Sequence, residues 1–288
     1  MGSMFNFRAS NRLFTQSLKF MAKNPLFFML PLCSLVLSFL LLLLLGFLIR
    51  WGAQINIQYL NPPHYYWYFE VVAFLLLTGL IVVVNTLSNA MLVYMAKFKL
   101  TGQTISWQQT IRACWRQRYN LISWGIFFTC AGFILSLLER TSGFSRLAAT
   151  VTQAAWHVCA FLMMPFIVIE QRSPSLAFEK VRDYFTSSAI VQVNVSILLA
   201  VYLLPIVILI HLSPNIVPQD YVGIVNHFWL YALLFLFVAW LIVGNSVNAI
   251  LKTALYLKIQ GQHDFSILKQ EDINKIMWDK PNSASWRR

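Results

Sequence analysis

Six stretches of this chain are apolar for about the 20 residues that an α-helix needs to cross a hydrocarbon core. They cover residues 25–50, 67–95, 119–138, 148–170, 189–212 and 226–257. Nothing else in the sequence limits the fold as severely. In lipid every backbone polar group must be satisfied within the protein, and none of the six alternates like a barrel strand, so the spans are expected to be helices. Composition agrees, with 58% apolar residues, 11% charged residues and a mean hydropathy of +0.63. A soluble domain has no core large enough to hide that much apolar surface. The expected fold class is all-α, a polytopic membrane protein with six transmembrane helices.

Lys and Arg are shared unequally between the two ends of these spans. Arg8, Arg12, Lys19 and Lys23 precede the first, and Lys97, Lys99, Arg112, Arg116 and Arg118 follow the second. Arg172, Lys180 and Arg182 follow the fourth, and Lys252, Lys258, Lys269, Lys275, Lys280, Arg287 and Arg288 close the chain. Only Arg50, Arg140 and Arg146 stand on the other side. Positive charge is retained in the cytoplasm, so both termini are expected there. The net charge of +12 comes from residues beside apolar spans. It therefore points to a bilayer with anionic headgroups rather than to nucleic acid.

The chain also repeats itself. Asn89-Ala90-Met91-Leu92 and Phe98-Lys99-Leu100-Thr101-Gly102-Gln103 align without a gap on Asn248-Ala249-Ile250-Leu251 and Leu257-Lys258-Ile259-Gln260-Gly261-Gln262. A weaker echo lays Ile169–Leu176 on Leu100–Trp107. Three amphipathic segments precede the odd-numbered spans. In the first, Arg8, Arg12, Lys19 and Lys23 fall within a narrow arc at 100° per residue, opposite Phe7, Phe14, Leu18 and Met21. In the second, Trp107, Ile111, Cys114 and Trp115 oppose Arg112 and Arg116; in the third, Ala177, Phe178, Val181 and Phe185 oppose Glu179, Lys180 and Asp183. Such helices lie in the membrane interface with their cations toward the headgroups. The reading is of three parallel repeats, each an interfacial amphipathic helix followed by a transmembrane hairpin. The units are residues 5–103, 104–171 and 172–262 of one membrane domain ending near residue 265, with 1–4 a tag remnant and start and 263–288 a cytoplasmic tail.

Polar groups at membrane depth are costly and usually face the protein interior. Here they are Asn85, Ser88 and Asn89 in the second span, Gln153 and His157 in the fourth, Asn194 in the fifth, and Asn245 and Asn248 in the sixth. Asn85, Asn89, Gln153, His157, Asn194, Asn245 and Asn248 are the candidate binding residues, as a polar layer that either pins the bundle through interhelical hydrogen bonds or lines a cavity. Lys252, near the end of the last span, is expected to snorkel to the interface. No HExxH, P-loop, GxSxG or metal-spaced Cys/His cluster is present, so no catalytic residue, metal or cofactor is assigned. No Asp lies within a span, which argues against a proton-driven pump.

Several motifs resemble those of a bacterial family of six-span membrane proteins of unknown function. They are Ile105-Ser106-Trp107, Ile122-Ser123-Trp124-Gly125, Leu138-Glu139-Arg140-Thr141-Ser142-Gly143, Ala155-Trp156, Met164-Pro165, Ile169-Glu170 and Ala254-Leu255-Tyr256 with Gly261. The likeness covers about residues 10–265. That family is in turn similar to the membrane domain that precedes some bacterial glycerophosphodiesterases. The resemblance implies a bacterial inner membrane and no established activity; the phosphodiesterase domain and its acidic metal ligands are not in this chain. The favoured function is a non-enzymatic scaffold or accessory module with a membrane-protein partner or a second copy of itself. The alternative is a transporter, channel-like or lipid-handling protein with a polar cavity between the repeats.

Overall fold

A computed structural model of the chain describes residues 7–59, 64–140, 144–184 and 222–262, with isolated positions between 189 and 208 and between 265 and 273. Its elements are α-helices: α1 (Phe7–Lys23), α2 (Leu26–Tyr59), α3 (His64–Leu100), α4 (Trp107–Arg116), α5 (Arg118–Glu139), α6 (Phe144–Ile169), α7 (Pro174–Asp183) and α8 (Val222–Ile259). Five segments of these helices are long and apolar enough to cross a bilayer: Leu26–Trp51, Glu70–Leu100, Arg118–Leu138, Val151–Ile169 and Leu234–Ile259. They fall on five of the six expected spans. The fifth expected span, residues 189–212, lies outside the described residues except at isolated positions, and Asn194 lies outside them.

α3 is the central helix, packed against α2, α5, α6 and α8. The short amphipathic helices gather at one end of this bundle: α1 on α8 and α2, α4 on α3, and α7 on α6 and α5. The buried core is concentrated at that end. It joins Phe20 and Phe27 to Leu92, Ala96 and Leu100, to Leu162, Phe166 and Ile167, and to Ile250 and Leu255. Toward the other end α2 and α3 share only a small cluster of Leu45, Ala73 and Leu77. There Phe39, Leu43, Phe47, Leu76, Phe133 and Phe235 are all more than half exposed. An apolar belt of that size has no place in water and is what lipid chains cover.

Local chemistry explains where the helices stop. α3 and α8 end in the same Schellman cap. The Gln103 N–H donates to Phe98 O (2.8 Å), and the Gln262 N–H to Leu257 O (3.0 Å). Gly102 and Gly261 take φ of 74° and 82°, a left-handed conformation that a Cβ makes costly. At the exit of α6 the left-handed residue is Gln171, with φ 56°, at the position that the weak echo sets against Gly102. Four residues after Gly102, Ser106 opens α4 with a capping box, its Oγ accepting from the Gln109 N–H while Gln109 Oε1 accepts from the Ser106 N–H. After Gln171 the link is shorter, and Ser173 precedes Pro174 at the first turn of α7.

Pro31 lies inside α2 without ending it. A proline has no N–H to give the carbonyl four residues earlier, here Phe27 O. That carbonyl instead accepts from Ser246 Oγ of α8 at 2.5 Å, in a buried contact. Ser88 Oγ of α3 donates to the neighbouring Leu30 O at 3.2 Å. Thus the bond that proline removes from α2 is replaced by one that ties α2 to α8.

The amphipathic helices use their faces differently from the expectation. On α1 the cations Arg8, Arg12, Lys19 and Lys23 are exposed as expected, but Phe14 and Met21 are covered by protein, together with Leu13 and Phe20. The cover comes from α8, α2 and the returning chain, where Leu268 and Ile273 are buried. Asp272, 2% exposed, fixes that return by pairing with Arg12 (3.6 Å) and accepting from Gln16 Nε2 (3.2 Å). The side chain of Phe7 lies outside the described residues. On α4, Thr110 and Cys114 turn inward, whereas Trp107, Ile111 and Trp115 are exposed alongside Arg112 and Arg116. Burial pushes the Cys114 thiol up to about 12. On α7, Ala177 and Val181 are buried and Phe178 is exposed; Phe185 lies outside the described residues.

Candidate functional site

The expected polar layer does not close on itself as a set of amides. Asn89, half-buried on α3, accepts instead from Lys252 Nζ of α8 at 2.5 Å. Lys252 is 5% exposed, so it does not snorkel. Its place explains why. Thr253, Ala254 and Leu255 beside it are also buried, because this part of α8 runs through the packed end of the bundle. The ammonium is held by an amide 163 residues away in the chain. Among the described residues the ion pairs are Arg12–Asp272 and Arg172–Glu170, so no carboxylate neutralises Lys252.

Asn89 also lines a cavity of about 290 Å³ between α3, α5 and α6. α3 contributes Ile81, Val82, Asn85, Thr86 and Asn89; α5 contributes Trp124, Gly125, Phe128 and Thr129; α6 contributes Ala160 and Met164. Every lining residue lies within a candidate span. Asn85 and Asn89 stand 15 and 11 residues before Leu100, roughly 16–22 Å from the end of α3 at 1.5 Å per residue and inside its apolar span. The cavity is therefore a mostly apolar notch within the candidate spans, with four polar side chains in its lining.

Its polar groups are unequally committed. The Asn85 amide nitrogen already donates to Ile81 O (2.9 Å) and Ser38 Oγ (3.2 Å), and Thr129 Oγ1 donates to Gly125 O (2.9 Å). The absent side chain of Gly125 makes room for Thr86, since a Cβ there would meet Thr86 Oγ1 at 2.6 Å. The wall opposite is aromatic, with Trp124 and Phe128 packed on Trp156 at ring-centroid distances of 5.8 Å each.

Of the sequence candidates, Asn85 and Asn89 meet at this cavity. The others are not among its lining residues. His157 is exposed on α6, with its ring edge-on to Phe128 at 6.2 Å. Gln153 and Asn248 are half-buried and Asn245 is exposed. Asn194 lies outside the described residues. Sequence reasoning missed Thr86, Thr129 and the role of Lys252. A lysine seven residues from the end of a span reads as a snorkelling side chain, and only the apolar Ala249, Leu251 and Leu255 around it argued otherwise.

Two other features stand at the basic end. A groove of about 730 Å³ follows the turn from α3 to α4, lined by Tyr94, Phe98, Gly102, Gln103, Thr104, Ile105 and Gln109. Glu170 joins the exits of α6 and α8, accepting from Tyr256 OH (3.2 Å) and Gln260 Nε2 (2.6 Å) and pairing with Arg172 (2.5 Å). This is a clamp of satisfied partners rather than a reactive cluster. Among the described residues no three His, Cys, Asp or Glu side chains form a group that could hold a metal ion.

Residues 67–264 match the profile of a family described as a family of unknown function (DUF6159). The match leaves out residues 10–66, which the resemblance read from the sequence had included. No curated protein and no solved structure matches the chain.

Proposed function

The chain belongs to this family of unknown function, and we propose that it is a lipid-handling membrane protein that holds a bilayer amphiphile in the cavity between α3, α5 and α6. The observation that carries this reading is the cavity itself. A packed scaffold needs no void at hydrocarbon depth, and an empty one would line itself with apolar side chains. This one carries Asn85, Thr86, Asn89 and Thr129 among its eleven lining residues, with buried Lys252 behind Asn89. Polar groups in lipid demand partners, and an amphiphile drawn from the surrounding bilayer supplies both an apolar chain and a polar end.

The proposal includes six spans in three units, with both termini cytoplasmic in a bacterial inner membrane. The left-handed residues Gly102, Gln171 and Gly261 at the exits of α3, α6 and α8 support the three units, and the Lys and Arg asymmetry supports the orientation. The accessory-module reading draws its support from one place, the exposed Trp107–Ile111–Trp115 stripe of α4.

Mass spectrometry of the intact protein, released from mild detergent, tests the proposal. Wild type should retain a bound lipid or fatty acyl compound. Ala160→Phe, which fills the cavity from α6, should fold and lose it. Equal lipid retention by the two proteins, or none by either, would overturn the reading.

A further inference from the structure

We infer that the cavity selects an anionic, single-chain amphiphile with a carboxylate end, a long-chain fatty acid, and that Lys252 supplies the counter-charge through Asn89. The inference rests on the lipid-handling reading above and adds the chemistry of the ligand's polar end.

Three observations lead to it. First, the charge is unbalanced. Lys252 is buried in the bundle, its one hydrogen bond is to a neutral amide, and no carboxylate among the described residues pairs with it. Burial without a counter-charge disfavours the charged form of any lysine, and an anion in the cavity beside Asn89 would favour it again.

Second, Lys252 fixes the orientation of Asn89. An ammonium only donates, so the amide must turn its carbonyl oxygen to Nζ. The Asn89 NH₂ is then the end left over, on a side chain that lines the cavity. Because the carbonyl accepts from a cation, the amide is polarised and its N–H groups become stronger donors. The positive charge is felt in the cavity although Lys252 itself does not line it.

Third, the count of donors matches a carboxylate. The Asn85 NH₂ and the Thr129 hydroxyl are already committed to protein acceptors. Among the described residues no side-chain acceptor is paired with the Asn89 NH₂ or the Thr86 hydroxyl, both on residues that line the cavity, and the latter sits in the space that Gly125 leaves open. Two donor groups serve the two oxygens of a carboxylate; a phosphate would bury further oxygens unpaired. Size agrees. A cavity of about 290 Å³ lies at the small end of the ~300–1,000 Å³ range of ligand sites, room for a head and part of one chain. The remaining chain is at home in the bilayer.

The test uses the full chain in phosphatidylcholine nanodiscs, labelled with a diazirine derivative of hexadecanoic acid. Unlabelled hexadecanoate should displace the probe from wild type at a concentration about 10-fold lower than hexadecanol does, the ratio expected for one charge-assisted hydrogen bond. Lys252→Met should remove that preference by weakening hexadecanoate and leaving hexadecanol within about 2-fold. Thr86→Val, nearly isosteric, should weaken hexadecanoate without changing the fold. Equal displacement by acid and alcohol in wild type, or a preference that survives Lys252→Met, overturns the inference and leaves the lipid-handling reading standing. A single-chain lysophosphatidate that outcompetes hexadecanoate also overturns it, in favour of a phosphate head. Labelling that neither compound displaces, and that Ala160→Phe does not reduce, overturns the lipid-handling reading itself.

Discussion

Removal of the Asn89 side-chain amide tests how the bundle carries its buried cation. Asn89→Leu keeps the volume and deletes the one acceptor of Lys252. A hydrogen bond to a charged group contributes about 1.5–3 kcal/mol, and a buried charge left without its partner costs about 3–5 kcal/mol. Asn89 is only half-buried, so some relief from the cavity side is expected. The substitution should therefore destabilise by about 3 kcal/mol. Lys252→Met alone removes the charge and strands only a neutral carbonyl beside the cavity, a loss of about 1 kcal/mol. The double variant has neither group unpaired and should recover to within about 1 kcal/mol of wild type, a coupling of about 3–4 kcal/mol. Reversible unfolding in mixed detergent, read by tryptophan fluorescence, measures all four corners of the cycle. The reasoning fails if Asn89→Leu costs less than about 1 kcal/mol, or if the two substitutions add without coupling. Either result would mean that the ammonium reaches water and is not held by Asn89.

Ser246→Ala should cost about 1–2 kcal/mol because it leaves Phe27 O unpaired, and Pro31→Ala, by restoring the helical donor, should cancel most of that cost. Gly102→Ala and Gly261→Ala should each cost about 1 kcal/mol because both positions are left-handed, whereas Gln171→Gly should stabilise by up to about 1 kcal/mol; equal effects at all three would refute the shared cap. Cys114, its thiol pushed up to about 12 by burial, should resist iodoacetamide in the folded protein at pH 8 and react on unfolding. As pH rises past the ordinary thiol range, the unfolded chain loses a proton that the folded chain keeps, so stability should fall above roughly pH 9 in wild type and less so in Cys114→Ala.

What the sequence disclosed follows from the range over which each interaction acts. The spans were legible because about 20 consecutive apolar residues have no other stable home. The ends of α3 and α8 were legible because a left-handed cap selects glycine, and Gly102 and Gly261 are 159 residues apart in aligned segments. The faces of α1 were also visible in the periodicity of Phe14, Leu18 and Met21. Periodicity says that a face is apolar, though, and not what covers it. The cover of α1 is α8 and a returning segment anchored by Asp272, a partner more than 250 residues downstream.

The site was legible only in part for the same reason. Asn85 and Asn89 stood out as amides in an apolar run, and both line the cavity. Lys252 was misjudged because depth along a span does not reveal whether lipid or another helix lies alongside. Thr86 and Thr129 gave no signal, since hydroxyls within a helix commonly bond to their own backbone, as Thr129 does to Gly125. Ala148, Thr152, Ala155 and Cys159 form a small-residue stripe along the fourth span, a pattern that reads as a packing spine. Ala148 and Thr152 are exposed, and the close packing comes later, from Val158 through Val168. Large side chains meet α3 and α8 at the crowded end of the bundle, and of the stripe Ala155 and Cys159 are half-buried, Cys159 packed against the core.

Where a photoactivatable fatty acid attaches decides the central claim. After irradiation in nanodiscs and proteolysis, peptide sequencing by mass spectrometry locates the label. The account predicts adducts on residues 81–89, 124–129 and 160–164, lost together in Ala160→Phe. Label spread over the exposed apolar belt at Phe39–Phe47 and Phe235–Phe237, unchanged by that substitution, would contradict it and leave the protein with a lipid coat and no lipid site.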